Sequence, residues 1–269
     1  MCDGPKESSR PAYDLVGVQR AFSEGRFQVT TRVSTHLDRL GWSRSTIGSC
    51  VASLTSADFN QSQRHLTRPR AWLDIYKPVF RGERLYVKFT PLEAGSATSF
   101  CPSLVTVRST ETEVVGVSRR EYPAECGICG ARAVRLSSAP LQREFREGTF
   151  AVEGFEYERC DACGEGFIDA AQIDPIQRAG VEAGRAGLGR LSSSDIREMR
   201  LAIGITQTVL ESQLGVSAGT VGRWERGGEL QTRIADNFMR LLFAHPELVT
   251  EAMGAMARDS RGPYRPRAR

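Results

Sequence analysis

Two short segments of this chain, ECGICG and RCDACG, repeat one device: two cysteines separated by two residues, followed at once by glycine. Two intervening residues let both thiolates of a pair bend toward one ion, and the glycine can take the positive φ that closes such a turn. One C-x-x-C alone is open to a redox reading. Two of them with thirty residues between, room for a β-hairpin, point to one structural Zn2+ held by Cys126, Cys129, Cys160 and Cys163. Four thiolates leave no coordination position for water, so the metal's work is to hold the fold. The other three of the seven cysteines, Cys2, Cys50 and Cys101, make an odd count that argues against a disulfide framework. Residues 125–170 are therefore expected to form a small zinc-ribbon-like β domain, with FAVEGFEYERC as strand-like sequence inside it.

Behind this module, residues 171–192 hold several Gly and Ala and read as a weak helix or connector, and residues 193–252 read as an all-α domain. Thr206 is placed to cap a helix starting at Gln207, Gly215 to break it, Ser217 to cap the next and Gly227 to end that one. Leu210, Leu214, Val221 and Trp224 have the spacing that packs the two helices together. The outward face of the second helix then carries Ala218, Gly219, Thr220 and Arg223, and the candidate DNA-binding set is Gln207, Ser217, Gly219, Thr220 and Arg223, with Arg223 able to pair with guanine O6 and N7. The segment TQ…LGVSAGTVGRWERG resembles the Cro/repressor-type helix-turn-helix family, except at Glu211, where that family usually has a small residue. The resemblance implies a homodimer on a palindromic double-stranded operator, and the amphipathic NFMRLLFAHPELV is a candidate dimer helix.

The net charge of +4 is unevenly spread. Residues 1–110 carry 15 Lys+Arg against 9 Asp+Glu, whereas the remainder carries 21 against 23. The front third is thus a basic unit, and its charge is nearly all arginine, suited to phosphate and base contacts. After a polar stretch at 1–12, expected to be disordered, helices fit from Asp14 to about Glu24, over Val33–Leu40, and after a cap at Ser43. Near residue 70 the apolar period switches from helical to alternating, giving strands at 71–80, 84–91 and 103–109 around the turn Arg81-Gly82-Glu83-Arg84. The expected class is multidomain α+β: an α+β domain at 13–110, a linker at 111–124, the zinc and helical domains, and a disordered basic tail at 253–269. No apolar run is long enough for a membrane span and the N-terminus has no apolar signal core, so a cytoplasmic protein without membrane contact is expected.

Four cysteines in this spacing, then this helix-turn-helix and a closing HPEL, are similar to MqsA-family antitoxins with a YgiT-type zinc finger, over about residues 124–250. Ahead of them LTSADFNQS, AWLDIYKP and GERLYVKF, preceded by VQRAFSEGRFQVTTR, resemble an MqsR-like mRNA interferase toxin, over about 12–110. The resemblances imply a RelE-like toxin fold that cleaves single-stranded mRNA, a zinc domain that grips it within the same chain, and a helical domain that represses the operon. RNA cleavage needs an activated 2′-OH, a stabilised phosphorane-like state and a proton for the leaving oxygen, which basic and tyrosine side chains can supply without metal. The catalytic candidates are Tyr86, at the family's tyrosine position, Lys88 two residues on, Arg108, where the family has lysine, and His65. The chain departs from the family at Gln61, which replaces a catalytic lysine, and at Leu73, which replaces a glutamine. Two readings follow: a fused toxin–antitoxin protein with a latent endoribonuclease, or a transcription regulator whose toxin-like domain is catalytically degenerate and serves interaction or sensing.

Overall fold

The structure is a computed structural model and describes residues 7–65, 71–90, 99–100, 105–107 and 121–248. They fall in two compact units, one ending at Gln177 and the other starting at Arg178.

The first unit opens with β1 (Glu7–Ser8), then α1 (Leu15–Ser23), β2 (Phe27–Thr30), α2 (Thr31–Leu40) and α3 (Arg44–Ala52). Each helix starts on a side chain that accepts orphan backbone N–H groups: Asp14 for α1, Thr30 for α2 and Ser43 for α3. After a single 3-10 turn come β3 (Phe59–Arg64), β4 (Trp72–Tyr76), β5 (Val79–Phe80), β6 (Glu83–Arg84), β7 (Val87–Phe89), β8 (Ser99–Phe100) and β9 (Val105–Val107). The cysteine segment supplies β10 (Ala124–Glu125), β11 (Arg132–Ser137), β12 (Leu141–Phe145), β13 (Gly148–Val152), β14 (Tyr157–Cys160) and β15 (Gly166–Asp169), and leads into α4 (Ala170–Leu188).

One sheet runs through both segments in the order β1-β3-β4-β7-β9-β2-β15-β14-β11-β10, with β8 on β9. Its core, with Phe22, Phe27, Val29, Val33, Leu37, Ile47, Val51, Val87 and Phe89 nearly inaccessible, gathers the apolar stripes of α1, α2 and α3 and the inward residues of the strands. Cys50 lies in it at 0% exposure, and burial, then the nearby Asp58 charge, push its thiol up to about 12, which marks it as a packing residue.

Three expectations are corrected or narrowed. Residues 7–12 are ordered, because β1 adds to β3 and the amides of Ala12 and Tyr13 donate to the buried Asp74 carboxylate at 2.9–3.1 Å. Residues 171–192, expected as a weak helix or connector, are helical through Leu188: α4 spans 19 residues and carries Pro175 in its second turn, where one backbone hydrogen bond is given up. The strand expected at 71–80 is broken at Lys77-Pro78, since proline has no ladder donor. The expectations for 1–6, 108–120 and 253–269 lie outside the described residues.

The second unit contains α5 (Ser193–Ala202), α6 (Gln207–Leu214), α7 (Thr220–Glu225) and α8 (Arg233–Ala244). They close over Leu191, Ile196, Leu210, Val221, Trp224, Ala235, Met239 and Leu242. Within it Arg185, 1% exposed, donates to the Gln231 side chain at 2.8 Å and to the carbonyls of Trp224 at 2.9 Å and Glu229 at 3.1 Å.

Candidate functional sites

The cysteine pairs meet as two facing knuckles. In each the first cysteine's carbonyl accepts from the glycine four residues on, Gly130 to Cys126 at 3.0 Å and Gly164 to Cys160 at 2.8 Å. Both glycines have positive φ, 73° and 75°, which a Cβ would strain. The four sulfurs lie within 4.8 Å of one another, with Cys126–Cys163 at 3.8 Å and Cys129–Cys160 at 3.6 Å. A tetrahedral ion with Zn–S bonds of about 2.3 Å needs S–S edges of about 3.8 Å, so the donor set fits one structural zinc. Cys126 and Cys160 are fully buried among Ala124, Val134 and Phe167, which anchors the cage in the sheet. No disulfide occurs among the described residues.

The front segment's basic hairpin is one continuous register. β4 pairs with β7 (Ile75 opposite Lys88, Tyr76 opposite Val87), and β5 pairs with β6 in the same register (Val79 opposite Arg84), with Arg81 and Gly82 turning at φ 53° and 83°. Carrying the register across the Pro78 break sets Lys77 opposite Tyr86. Alternation then sorts the hairpin. Tyr76, Phe80, Val87 and Phe89 share the core face, where Tyr76 stacks on Phe89 with centroids 5.1 Å apart and Phe80 meets Trp42 edge-on at 5.4 Å. Ile75, Lys77, Val79, Arg84, Tyr86 and Lys88 share the other, where Ile75 is fully buried. There the Lys88 ammonium lies 4.9 Å from the Tyr86 ring centroid and the Lys77 ammonium 5.8 Å.

Of the four catalytic candidates, Tyr86 and Lys88 are brought together. His65 is not: it is 8% exposed at the far end of β3, four residues along the strand from Gln61, or about 13 Å away. Arg108 lies outside the described residues. Gln61 stands opposite Ile75, and its amide donates to Glu7 at 3.3 Å, as that of Gln63 does at 3.1 Å. Leu73 is half-buried opposite Gln63. Lys77 stands out in the sequence only as one of several basic residues around the turn and first strand, because its place beside Tyr86 depends on a register that alternation alone does not fix.

The helix-turn-helix geometry refines the DNA-binding set. Gly215 ends α6 at φ 63°. α7 starts later than expected: Gly219, at φ 79°, is its cap in place of Ser217, whose carbonyl accepts from Thr220 at 3.1 Å. The first-turn donor of α7 that a capping side chain would take is served from across the turn, since the Glu211 carboxylate accepts from the Val221 N–H at 3.0 Å. This explains a buried glutamate at a position the family fills with a small residue. Thr220 is 6% exposed, so it does not face outward; its hydroxyl accepts from Arg223 at 2.9 Å, while Arg223 Nε donates to Glu229 at 2.7 Å. Ser217 and Gly219 are exposed. Gln207 donates to Glu225 at 2.7 Å, whose carboxylate Arg200 also grips, and these donors offset burial to hold Glu225 below the usual carboxylate range.

A fourth arrangement had no sequence signal: the seam between the front and cysteine segments. β2 and β15 pair antiparallel, Val29 opposite Ile168 and Gln28 opposite Asp169. Gln28 donates to Asp169 at 2.8 Å, Thr31 to Glu165 at 2.8 Å, and the Arg44 amide to Asp174 at 2.8 Å. From β12, Arg143 reaches Asp38 on α2 as an ion pair with side chains 1% and 2% exposed, and donates to Ser34 Oγ at 2.9 Å. Burial raises the Asp38 carboxyl although Arg143 opposes it.

Among known families, residues 10–101 match the model described as motility quorum-sensing regulator, toxin of MqsA. Residues 124–253 match the antitoxin component of bacterial toxin–antitoxin system, MqsA. Among curated proteins none matches the chain.

Proposed function

We propose that this chain, which joins an MqsR-family toxin segment to an MqsA-family antitoxin segment in one polypeptide, is a self-restrained toxin–antitoxin protein that represses its own transcription. The observation that carries the reading is the seam. The antitoxin segment extends the toxin sheet through β2–β15 and buries Arg143 against Asp38, so the toxin is held by its own chain. β15 is three strands from β7 in the sheet, or about 14 Å. The junction therefore leaves Tyr86 and the exposed Lys77 open to ligand. Restraint works by fixing the toxin fold. The toxin activity in this reading is cleavage of single-stranded RNA on the Tyr86–Lys88 face.

The DNA-binding part rests on α6 and α7, with Arg223 presented by Thr220 and Glu229 and with Gln207 near the start of α6. A homodimer on a palindromic operator is the matching assembly. Ile234, Phe238 and Leu241, spaced four and three apart on α8, leave an apolar stripe exposed for it. The test is a gel-shift titration of the full chain with the DNA upstream of its own coding region. Specific retention, lost in Arg223→Ala, is expected; equal affinity for unrelated duplex would end the repressor reading.

A second reading, a regulator with a catalytically inert toxin-like segment, is favoured by Gln61, whose amide is tied to Glu7, and by the apolar Leu73. It predicts DNA binding without RNA cleavage by any form of the chain.

A further inference from the structure

The chain contains 36 Lys+Arg, of which only Lys6, Lys77 and Lys88 are lysine. Two of those three flank one tyrosine ring, at 5.8 and 4.9 Å. They come from opposite arms of the hairpin and share a face with the exposed Arg84. Neither ammonium has a carboxylate partner among the described residues. Glu7, which shares this face across β1, β3 and β4, accepts from Gln61 and Gln63. Two uncompensated ammonium groups held about a ring form a compact positive site. An ammonium is a strongly hydrated point charge that suits a single phosphate oxygen, whereas guanidinium favours planar, two-pronged contacts. Cation–π contact limits where each ammonium can go, so less order is lost on binding. An aromatic ring beside a basic track is also the pattern by which single-stranded nucleic acid is held, with base on ring and phosphate on cation.

We propose that Lys77 is an RNA phosphate-binding residue, acting with Lys88 on either side of Tyr86. The inference rests on the reading of this face as a single-stranded RNA site and adds a residue to it. Lys77 replaces the charge that Gln61, neutral and tied to Glu7, does not bring.

The test uses the full chain and a short fluorescein-labelled, 2′-O-methylated oligoribonucleotide, which binds without being cut. Anisotropy titrations are run at several salt concentrations. Lys77→Ala is expected to weaken binding about fivefold and to flatten the slope of log affinity on log salt by about 0.7, the share of one phosphate contact on a single strand. Lys77→Arg restores both, and Lys88→Ala behaves like Lys77→Ala. If Lys88→Ala weakens binding and Lys77→Ala leaves affinity and slope unchanged, Lys77 has no such role and the RNA face stands without it. If the wild-type chain does not bind the probe, or neither lysine affects binding, the reading of the face falls and Lys77 with it. Lys77 is exposed, so its loss leaves the core intact, which circular dichroism checks.

Discussion

Arg143 and Asp38 are separated by a hundred residues of chain yet bury each other at 1% and 2% side-chain exposure. Removing one member of such a pair leaves the other's charge in a low-dielectric seam, at a cost of roughly 3–5 kcal/mol. Arg143→Ala should therefore lower the denaturant midpoint of the first unit and loosen α2 from β12, read as faster amide exchange over both. An unchanged midpoint would show that the seam does not depend on the pair. Gly166 is a second lock: a Cβ there would lie 2.5 Å from Thr31 Cγ2 and 2.9 Å from Tyr157 Cε2, so even Gly166→Ala must push β15 off α2. Asp74 supplies a pH signature. It is 0% exposed, and burial raises its carboxyl above the usual range against hydrogen bonds from Ser62, Ala12 and Tyr13. A raised acid binds its proton more tightly in the folded state, so its contribution is fullest below the unfolded value of about 3.9 and falls as pH rises through the folded value. The stability difference between wild type and Asp74→Asn should therefore shrink from pH 4 toward neutrality in urea titrations. A flat difference would remove Asp74 as the cause.

At the scale of elements, two prosthetic arrangements replace local propensity. α7 has only six residues and no side-chain cap of its own, and it begins where Glu211 of α6 receives the Val221 N–H. Glu211→Ala leaves that buried donor without a partner at about 1–3 kcal/mol, so the second unit should melt earlier, and the DNA retention expected of the proposed repressor should fall although Glu211 is itself buried. Glu211→Gln, which keeps an acceptor, should recover most of both. The knuckles β10–β11 and β14–β15 are short hairpins whose ends are joined through sulfur. Cys126→Ser should lose the single zinc measured by a colorimetric chelator in unfolded protein. It should also destabilise β14 and β15, and through β15 the pairing with β2. Full retention of stability by a zinc-free variant would assign the cage no structural role.

For the whole molecule, the proposed restraint would act at a concentration set by fusion. Two segments on one chain meet at an effective concentration of about a millimolar, and dilution does not release them. Residues 1–110 expressed alone should arrest growth and cut RNA, with Tyr86→Phe abolishing both, whereas the full chain does neither. A harmless, inert front segment would leave the regulator reading in possession. The sequence by itself determined what local chemistry can specify. The zinc ligands follow from two C-x-x-C-G turns, the helix starts from Asp14, Thr206 and their like, and the family of each segment from short motifs, because these depend on neighbours within a few residues. Only the tertiary structure decided that β2 meets β15, that Arg143 finds Asp38, that Glu211 caps α7, and that Lys77 stands across from Tyr86 while His65 lies far along its strand. Each of those depends on a strand register or on a partner far away in the chain, as far as the 141 residues between Gln28 and Asp169. A side-chain period of two tells which face a residue takes, and leaves open what it faces.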